Sequence, residues 1–339
     1  MAEKEEKEIE KVIDICNKAI ELNPEYANAY YNRGVAYVKS GQHQKAIDDF
    51  TKAIELNPKD IFAHGNRGIA CADLGQYQKA IDDFTGAIEL NPAYADAYYN
   101  RGFAYVKSGQ YQKAINDYTK VIELNPEYAF AHCNRGVACA DLGQYQKAID
   151  DYDRAIELNP AYADAYYNRG FAHGKLGQYQ KAINDYAKAI ELNPGDAAIY
   201  YKRGLTYGKS DQHQKAIDDC NKAIELNPEY ADAYYNRGFA HGKLGQYQKA
   251  INDYTKAIEL NPEDTDAYYN RGVAYLILKY PTAACDNFYQ AGLLYFNQNQ
   301  KTQAVECVDE MKKADPFSPL INKLIDKIYG EDESKKSQK

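Results

Sequence analysis

Few residue types in this chain could do chemistry, and most of them recur at fixed positions. Adjacent carboxylates appear at Asp48-Asp49, Asp82-Asp83, Asp150-Asp151 and Asp218-Asp219. General acid–base work needs two carboxylates converging on one bond, and helical neighbours point about 100° apart. These pairs are therefore read as solvated or as salt-bridging within a repeat. The seven cysteines are odd in number and scattered, with no Cys-x-x-Cys pair, so neither a disulfide framework nor a zinc site is indicated. Residues 204–210, Gly-Leu-Thr-Tyr-Gly-Lys-Ser, have three residues between the glycines where a phosphate-binding loop requires four. No strand precedes them, and the P-loop reading fails.

One pattern survives. An asparagine precedes Arg-Gly at Asn32, Asn66, Asn100, Asn134, Asn168, Asn236 and Asn270, with Lys202 as the exception. Asparagine is a mediocre helix former, so its recurrence inside a helix calls for a cause. A carboxamide carries a donor and an acceptor and can pair with the N–H and C=O of an extended peptide. Tyr31, Tyr99, Tyr167, Tyr235 and Tyr269 fall beside these asparagines, and Lys39, Lys107, Lys175, Lys209 and Lys243 one helix end away. Such a surface suits a polar extended peptide better than an apolar helix. The rival reading is that the asparagines bond neighbouring repeats and only fix the stack. Both stay open at the level of sequence.

These residues are positioned by a repeat. Prolines fall at Pro24, Pro58, Pro92, Pro126, Pro160, Pro194, Pro228 and Pro262, every interval being 34 residues. A fixed period of this size marks stacked supersecondary units. In one unit, Tyr30, Val35, Ala36 and Tyr37 recur at helical spacing between Ala27 and Ser40, and Gly41 follows as a C-terminal cap needing positive φ. A second helix is predicted from about Gln42 to Leu56, stopped by Asn57-Pro58. Small residues at Gly34, Ala46 and Ala53 mark close backbone approach, and Tyr30, Tyr37 and Phe50 fill the gaps. One hairpin cannot bury that face alone, so neighbours must stack.

The six histidines fit the same scheme. His64 and His132 stand where other units have Tyr30 or Tyr98, His173 and His241 where they have Tyr37 or Tyr105, and His43 and His213 where they have Tyr77 or Tyr111. Each replaces a packing aromatic, so no catalytic or metal role is assigned. Cys71 and Cys139 occupy the Tyr37 slot and Cys220 that of Phe50, as small buried hydrophobes. The arginines of all eight units, Arg33 to Arg271, are read as structural, paired with helix-borne aspartates.

Composition agrees: 45% hydrophobic, 27% charged, with 34 Tyr, 10 Phe and no Trp. A net charge of −8 argues against a nucleic-acid platform and against docking on an anionic membrane. No run approaches the ~18 apolar residues of a membrane span. Residues 1–11 have no apolar stretch of a secretory leader, so a reduced, cytoplasmic setting is expected.

The spacing Tyr98, Gly102, Tyr105, Ala114, Tyr118, Val121, Pro126 resembles the tetratricopeptide repeat, and the resemblance covers roughly residues 9–330. It implies an all-α solenoid, a right-handed superhelix of antiparallel helix pairs with a concave inner groove. The array resembles that of O-GlcNAc transferase and of bacterial and archaeal scaffold proteins. In the family the equivalent asparagine lines that groove, and the resemblance is to the peptide-binding ladder of the O-GlcNAc transferase superhelix. Members that bind chaperone tails add a lysine one turn earlier. Here that position holds Asn28, Phe62, Asp96, Phe130, Asp164, Ala198, Asp232 and Asp266, so a carboxylate clamp is not expected. The resemblance thus points to a protein or peptide partner of unspecified identity, no catalysis and no cofactor or metal.

The expected organisation is a half-repeat helix and cap over 1–26, seven units over 27–264, degenerate eighth and ninth repeats with a capping helix over 265–330, and a disordered tail over 331–339. The first of these is expected to offer only a second-type helix, 9–22, carrying Val12, Cys16 and Ala19. Residues 282–297 fit both helix types and should close the eighth unit while packing on the next helix. The final helix should turn Leu320, Leu324, Ile325 and Ile328 inward. A monomer is expected. The rivals kept are a structural or assembly protein acting through its ends or convex face, with self-association, and the regulatory subunit of a separate enzyme.

Overall fold

The computed structural model describes residues 2–330, with side chains from residue 6 onward. The tail expected to be disordered lies outside the described residues. Every element is an α-helix. The chain opens with α1, Ala2–Leu22. Helix pairs follow: α2 (Ala27–Lys39) with α3 (His43–Leu56), α4 (Ile61–Asp73) with α5 (Tyr77–Leu90), and α6 (Ala95–Lys107) with α7 (Tyr111–Leu124). Next come α8 (Ala129–Asp141) with α9 (Tyr145–Leu158), α10 (Ala163–Lys175), α11 (Tyr179–Leu192), and α12 (Ala197–Lys209) with α13 (His213–Leu226). The series ends with α14 (Ala231–Lys243) and α15 (Tyr247–Leu260), α16 (Thr265–Ile277) and α17 (Pro281–Asn297), then α18 (Lys301–Ala314) and α19 (Pro319–Tyr329). Contacts divide the chain into two compact units, Met1–Ala172 and His173–Lys339, and the division falls inside α10.

The turns repeat the chemistry of the sequence. After α2, the Gln42 N–H reaches the Tyr37 carbonyl at 2.8 Å while Gly41 takes φ +72°. That is the left-handed exit in which glycine meets no Cβ penalty. Asp211, Lys279 and Asn299 hold the same conformation at φ 58°, 64° and 60°. After α3, Asn57 bonds back to Ala53, and its own carbonyl accepts from Asp60 at 3.1 Å. The Asn-Pro step thus ends one hairpin and aims the next.

Packing within a pair rests on a glycine under a ring. A Cβ built at Gly34 would lie 2.8 Å from the Phe50 ring, and the same holds for Gly102 beneath Tyr118 at 2.9 Å. Ala46, Phe50 and Ala53 are fully buried. Tyr30 fills less than expected: it stays half-buried, and its hydroxyl donates to the Pro24 carbonyl at 3.2 Å. His64 and His132 place Nε2 at 3.2 and 3.1 Å from Pro58 O and Pro126 O, reproducing that tyrosine contact.

The arginines tie three helices together. Arg33 donates through Nε and Nη2 to both oxygens of Asp49, each at 2.7 Å, and through Nη1 to Asn17 on the preceding helix. Arg67 bridges Asp83 and Thr51, Arg101 bridges Asp117 and Thr85, and Arg237 bridges Asp253 and Asn221. The second aspartate of each Asp-Asp pair is therefore the structural one. The first accepts from a glutamine one turn back, as Asp48 does from Gln44. Removing one partner of such a shielded pair leaves an uncompensated charge, at a cost of about 3–5 kcal/mol.

Two expectations at the ends need correction. α1 continues through the charged run 3–11 instead of beginning near residue 9. Glutamate and lysine are strong helix formers, and the apolar periodicity used to place the start carries no information there. In α19 Leu324 and Ile328 are buried and Leu320 and Ile325 half-buried against the same core, as expected, but Ile321, which the expectation left out, is buried with them. α17 does serve two roles: it packs on α16 and on α18.

Candidate functional site

Residues at i, i+3 and i+7 of a helix share one face. On each first helix these are the asparagine, an apolar residue and the helix-end residue. The stripes run Asn32-Val35-Lys39, Asn66-Ile69-Asp73, Asn100-Phe103-Lys107, Asn134-Val137-Asp141, Asn168-Phe171-Lys175, Asn236-Phe239-Lys243 and Asn270-Val273-Ile277. The middle position was not singled out from sequence, although its spacing from the asparagine would have found it. Phe103 and Phe239 are 42% and 37% exposed, large for apolar side chains of a packed repeat. Lys107 and Lys243 lie over those rings at 5.3 and 5.1 Å from the centroids.

The asparagines are engaged with neighbouring repeats. Nδ2 of Asn66 donates to the Tyr31 hydroxyl at 3.0 Å, that of Asn134 to Tyr99 at 2.7 Å, that of Asn236 to Tyr201 at 3.4 Å, and that of Asn270 to Tyr235 at 3.1 Å. In Asn236 and Asn270 the same nitrogen also donates to the carbonyls of Asp232 and Asp266, so both amide hydrogens are used. Oδ1 takes no part in these bonds. Burial pushes the phenols of Tyr31, Tyr99 and Tyr235 up, which keeps them as neutral hydroxyls able to donate. Tyr99 also packs edge-on against Tyr118, its ring 5.7 Å away.

The ladder is uneven because the residue 35 positions earlier varies. Asn100 falls opposite Gly65, which has no hydroxyl to offer. Asn168 meets Cys133, whose thiol burial pushes up to about 11. Asn32 is the exposed member, and the other six are half-buried. Tyr167 is half-buried beside Asn168, and Lys107, Lys175 and Lys243 are exposed. Tyr269 packs at 5.5 Å on Phe288.

Within the second compact unit the stripes line depressions. One of ≈ 470 Å³ is bounded by Leu205, Lys209, Tyr235, Asn236, Phe239 and Lys243. The next, ≈ 330 Å³, has Phe239, Lys243, Asn270, Val273 and Ile277 in its walls. In the first unit, Asn32, Val35 and Lys39 line one of ≈ 480 Å³ with Val12 and Ile15. Among the described residues no group of three or more His, Cys, Asp or Glu could hold a metal. No helix among them is long and apolar enough to cross a membrane.

Residues 27–60, 95–128, 163–196, 197–230 and 231–264 each match the tetratricopeptide repeat family over a full 34-residue unit. The chain belongs to the tetratricopeptide repeat family. Related repeat descriptions of the same family match 50–82, 69–109, 117–150, 138–177 and 253–306. No curated protein matches the chain. Among solved structures, a tetratricopeptide repeat protein from Parabacteroides merdae is 22% identical with a TM-score of 0.57, the alignment covering 73% of this chain and 98% of that one. The Cut9–Hcn1 hetero-tetramer of the APC/C aligns over 94% of this chain and 58% of its own, at 17% identity and a TM-score of 0.53. YrrB, described as having an unusual peptide-binding site, is 29% identical over 54% of this chain and 95% of its own, with a TM-score of 0.47. A tetratricopeptide array is a protein–protein interaction scaffold, and that is the coarse functional class of this chain.

Proposed function

We propose that the face built by the first helices grips an extended segment of a partner protein. The observation that carries this reading is the stripe of asparagine, apolar residue and helix-end residue that recurs on the first helices, with Phe103 and Phe239 exposed in it. Each of these two phenylalanines lies beneath a lysine ammonium. In the repeats that carry both residues, the asparagine Oδ1 and the tyrosine O–H supply an acceptor and a donor that match the alternating N–H and C=O of an extended chain. The aromatic and aliphatic side chains between them form shallow seats for alternate partner residues. Lysines at the rim favour segments that carry carboxylates beside those anchors.

A segment obtained by peptide display against the whole chain tests this. Phe239→Ser is expected to weaken its binding by about 1–3 kcal/mol, roughly five- to a hundredfold, with the melting temperature almost unchanged. Gln214→Ser, on the exposed side of α13, should leave affinity as it is. The reverse pattern would place the partner on the second helices and end the proposal.

A further inference from the structure

The two ends of the array carry matched departures from the repeat. α1 is a second-type helix: Cys16 falls at the Phe50 position, Ala19 at that of Ala53, and Ile15 at that of Asp49. The side of α1 that elsewhere packs on a first helix is open, with Val12 42% and Ile15 58% exposed. At the other end, Asp315-Pro316 makes the inter-repeat turn, Ser318 N–H donating to the Asp315 carbonyl as Asp60 does to Asn57. α19 then packs on both α17 and α18, as α14 packs on α12 and α13, and so stands as a first-type helix. Counted from its proline, Ile325 takes the place of Arg33, Asp326 that of Gly34 and Tyr329 that of Tyr37.

Six of the units described above hold an arginine of the first helix against an aspartate of the second, Arg33–Asp49 through Arg237–Asp253. In the eighth, Arg271 meets Asn287 instead. Only the solitary α19 and the solitary α1 carry isoleucine at both of these positions, Ile325 and Ile15. An isolated Asp at 15 or Arg at 325 would suit solvent; two isoleucines suit each other. The glycine and aromatic positions hold Asp326 and Cys16 instead. Tyr329 keeps the aromatic of its slot and is 42% exposed.

We infer that α19 of one molecule docks on α1 of a second copy, completing a composite repeat whose central contact is Ile325 on Ile15. The partner is thus another copy of this chain, joined head to tail by a heterologous contact. Asn32, the exposed member of the ladder, then faces Lys323 of the neighbouring copy, the residue at the Tyr31 position. Because the contact uses α19 of one molecule and α1 of the other, the remaining α1 and α19 faces of the pair stay available, and association is open and grows with concentration.

Sedimentation velocity of the full chain over a concentration series tests this. The wild type is expected to show a weight-average coefficient rising with concentration, and Ile15→Asp to abolish the rise, raising the dissociation constant about 100-fold. Ile325→Arg should do the same. The double variant Ile15→Asp/Ile325→Arg rebuilds the ion pair of the internal repeats across the junction and should restore association, as should mixing the two single variants. A monomeric wild type, or association unaffected by Ile15→Asp, overturns the inference. Association lost in both singles but not restored in the double or the mixture also overturns it, since the two side chains then do not meet across one contact. Ile325 packs partly on the C-terminal core, so each variant is melted first. If Ile325→Arg unfolds the cap, Ile15→Asp and Val12→Asp, both on exposed side chains, still decide.

Discussion

At the scale of the residue, the asparagines divide into members held by a tyrosine hydroxyl and members that are not. Asn134 bonds Tyr99 at 2.7 Å, whereas Asn100 stands opposite Gly65. Asn134→Ala is therefore expected to lower stability by about 0.5–1.5 kcal/mol in denaturant unfolding, and Asn100→Ala to leave it within about 0.5 kcal/mol. Affinity for a displayed segment should fall in both. Equal stability losses would show that the Asn–Tyr bond is not what sets the cost. A second residue-scale case is Arg271, which faces the carboxamide of Asn287 at 2.8 Å where other units have a carboxylate. Burial then pushes its guanidinium down, in contrast to Arg33 and Arg203, which their aspartates hold up. Asn287→Asp should stabilise the protein by about 1–2 kcal/mol at pH 7. The new carboxylate would titrate below its unfolded value, so the gain is full above about pH 4 and fades as pH falls below it. A gain that grew on acidification would contradict the pairing.

At the scale of the element, the period carried nearly everything. Proline spacing, the Gly41 position and the Ala46, Phe50, Ala53 face placed α2 and α3 to within a residue, because each boundary has a local cause in proline or glycine. What local causes do not fix was missed. The start of α1 lies in a run of glutamate and lysine that is helical by propensity alone. In α19 Leu320 and Ile321 are adjacent, and either could begin the buried stripe until α18 is in place. The Asn–Tyr bonds span 35 residues, so sequence gave the coincidence of the two residues but not which way the carboxamide turns. The αL exits show how far local rules reach. Asp211 adopts φ 58° where Gly41 and five further units place glycine. Asp211→Gly should stabilise by about 0.5–1 kcal/mol, since the strain of a Cβ there is removed. A lower melting temperature in that variant would mean that the Asp211 side chain contributes more than its backbone costs.

At the scale of the whole molecule, a chain of stacked hairpins has few places to keep a function, because buried faces are spent on neighbours. The first helices retain a repeated stripe, and α1 retains an apolar side on which Val12 and Ile15 are exposed. The stripe is not uniform. Asp96, Phe103 and Lys107 alternate with Phe130, Val137 and Asp141 in the first unit, while Lys209 and Lys243 follow one another in the second. A segment bound within the first unit is thus expected to meet a different charge pattern from one bound within the second. Site-specific photocrosslinking tests the central claim most directly, with a photoreactive residue in place of Phe103, Phe239 or, on second helices, Gln78 and Gln214. The account predicts crosslinks to a bound segment from 103 and 239 and none from 78 and 214. Crosslinks from 78 and 214 with silence at 103 and 239 would contradict it.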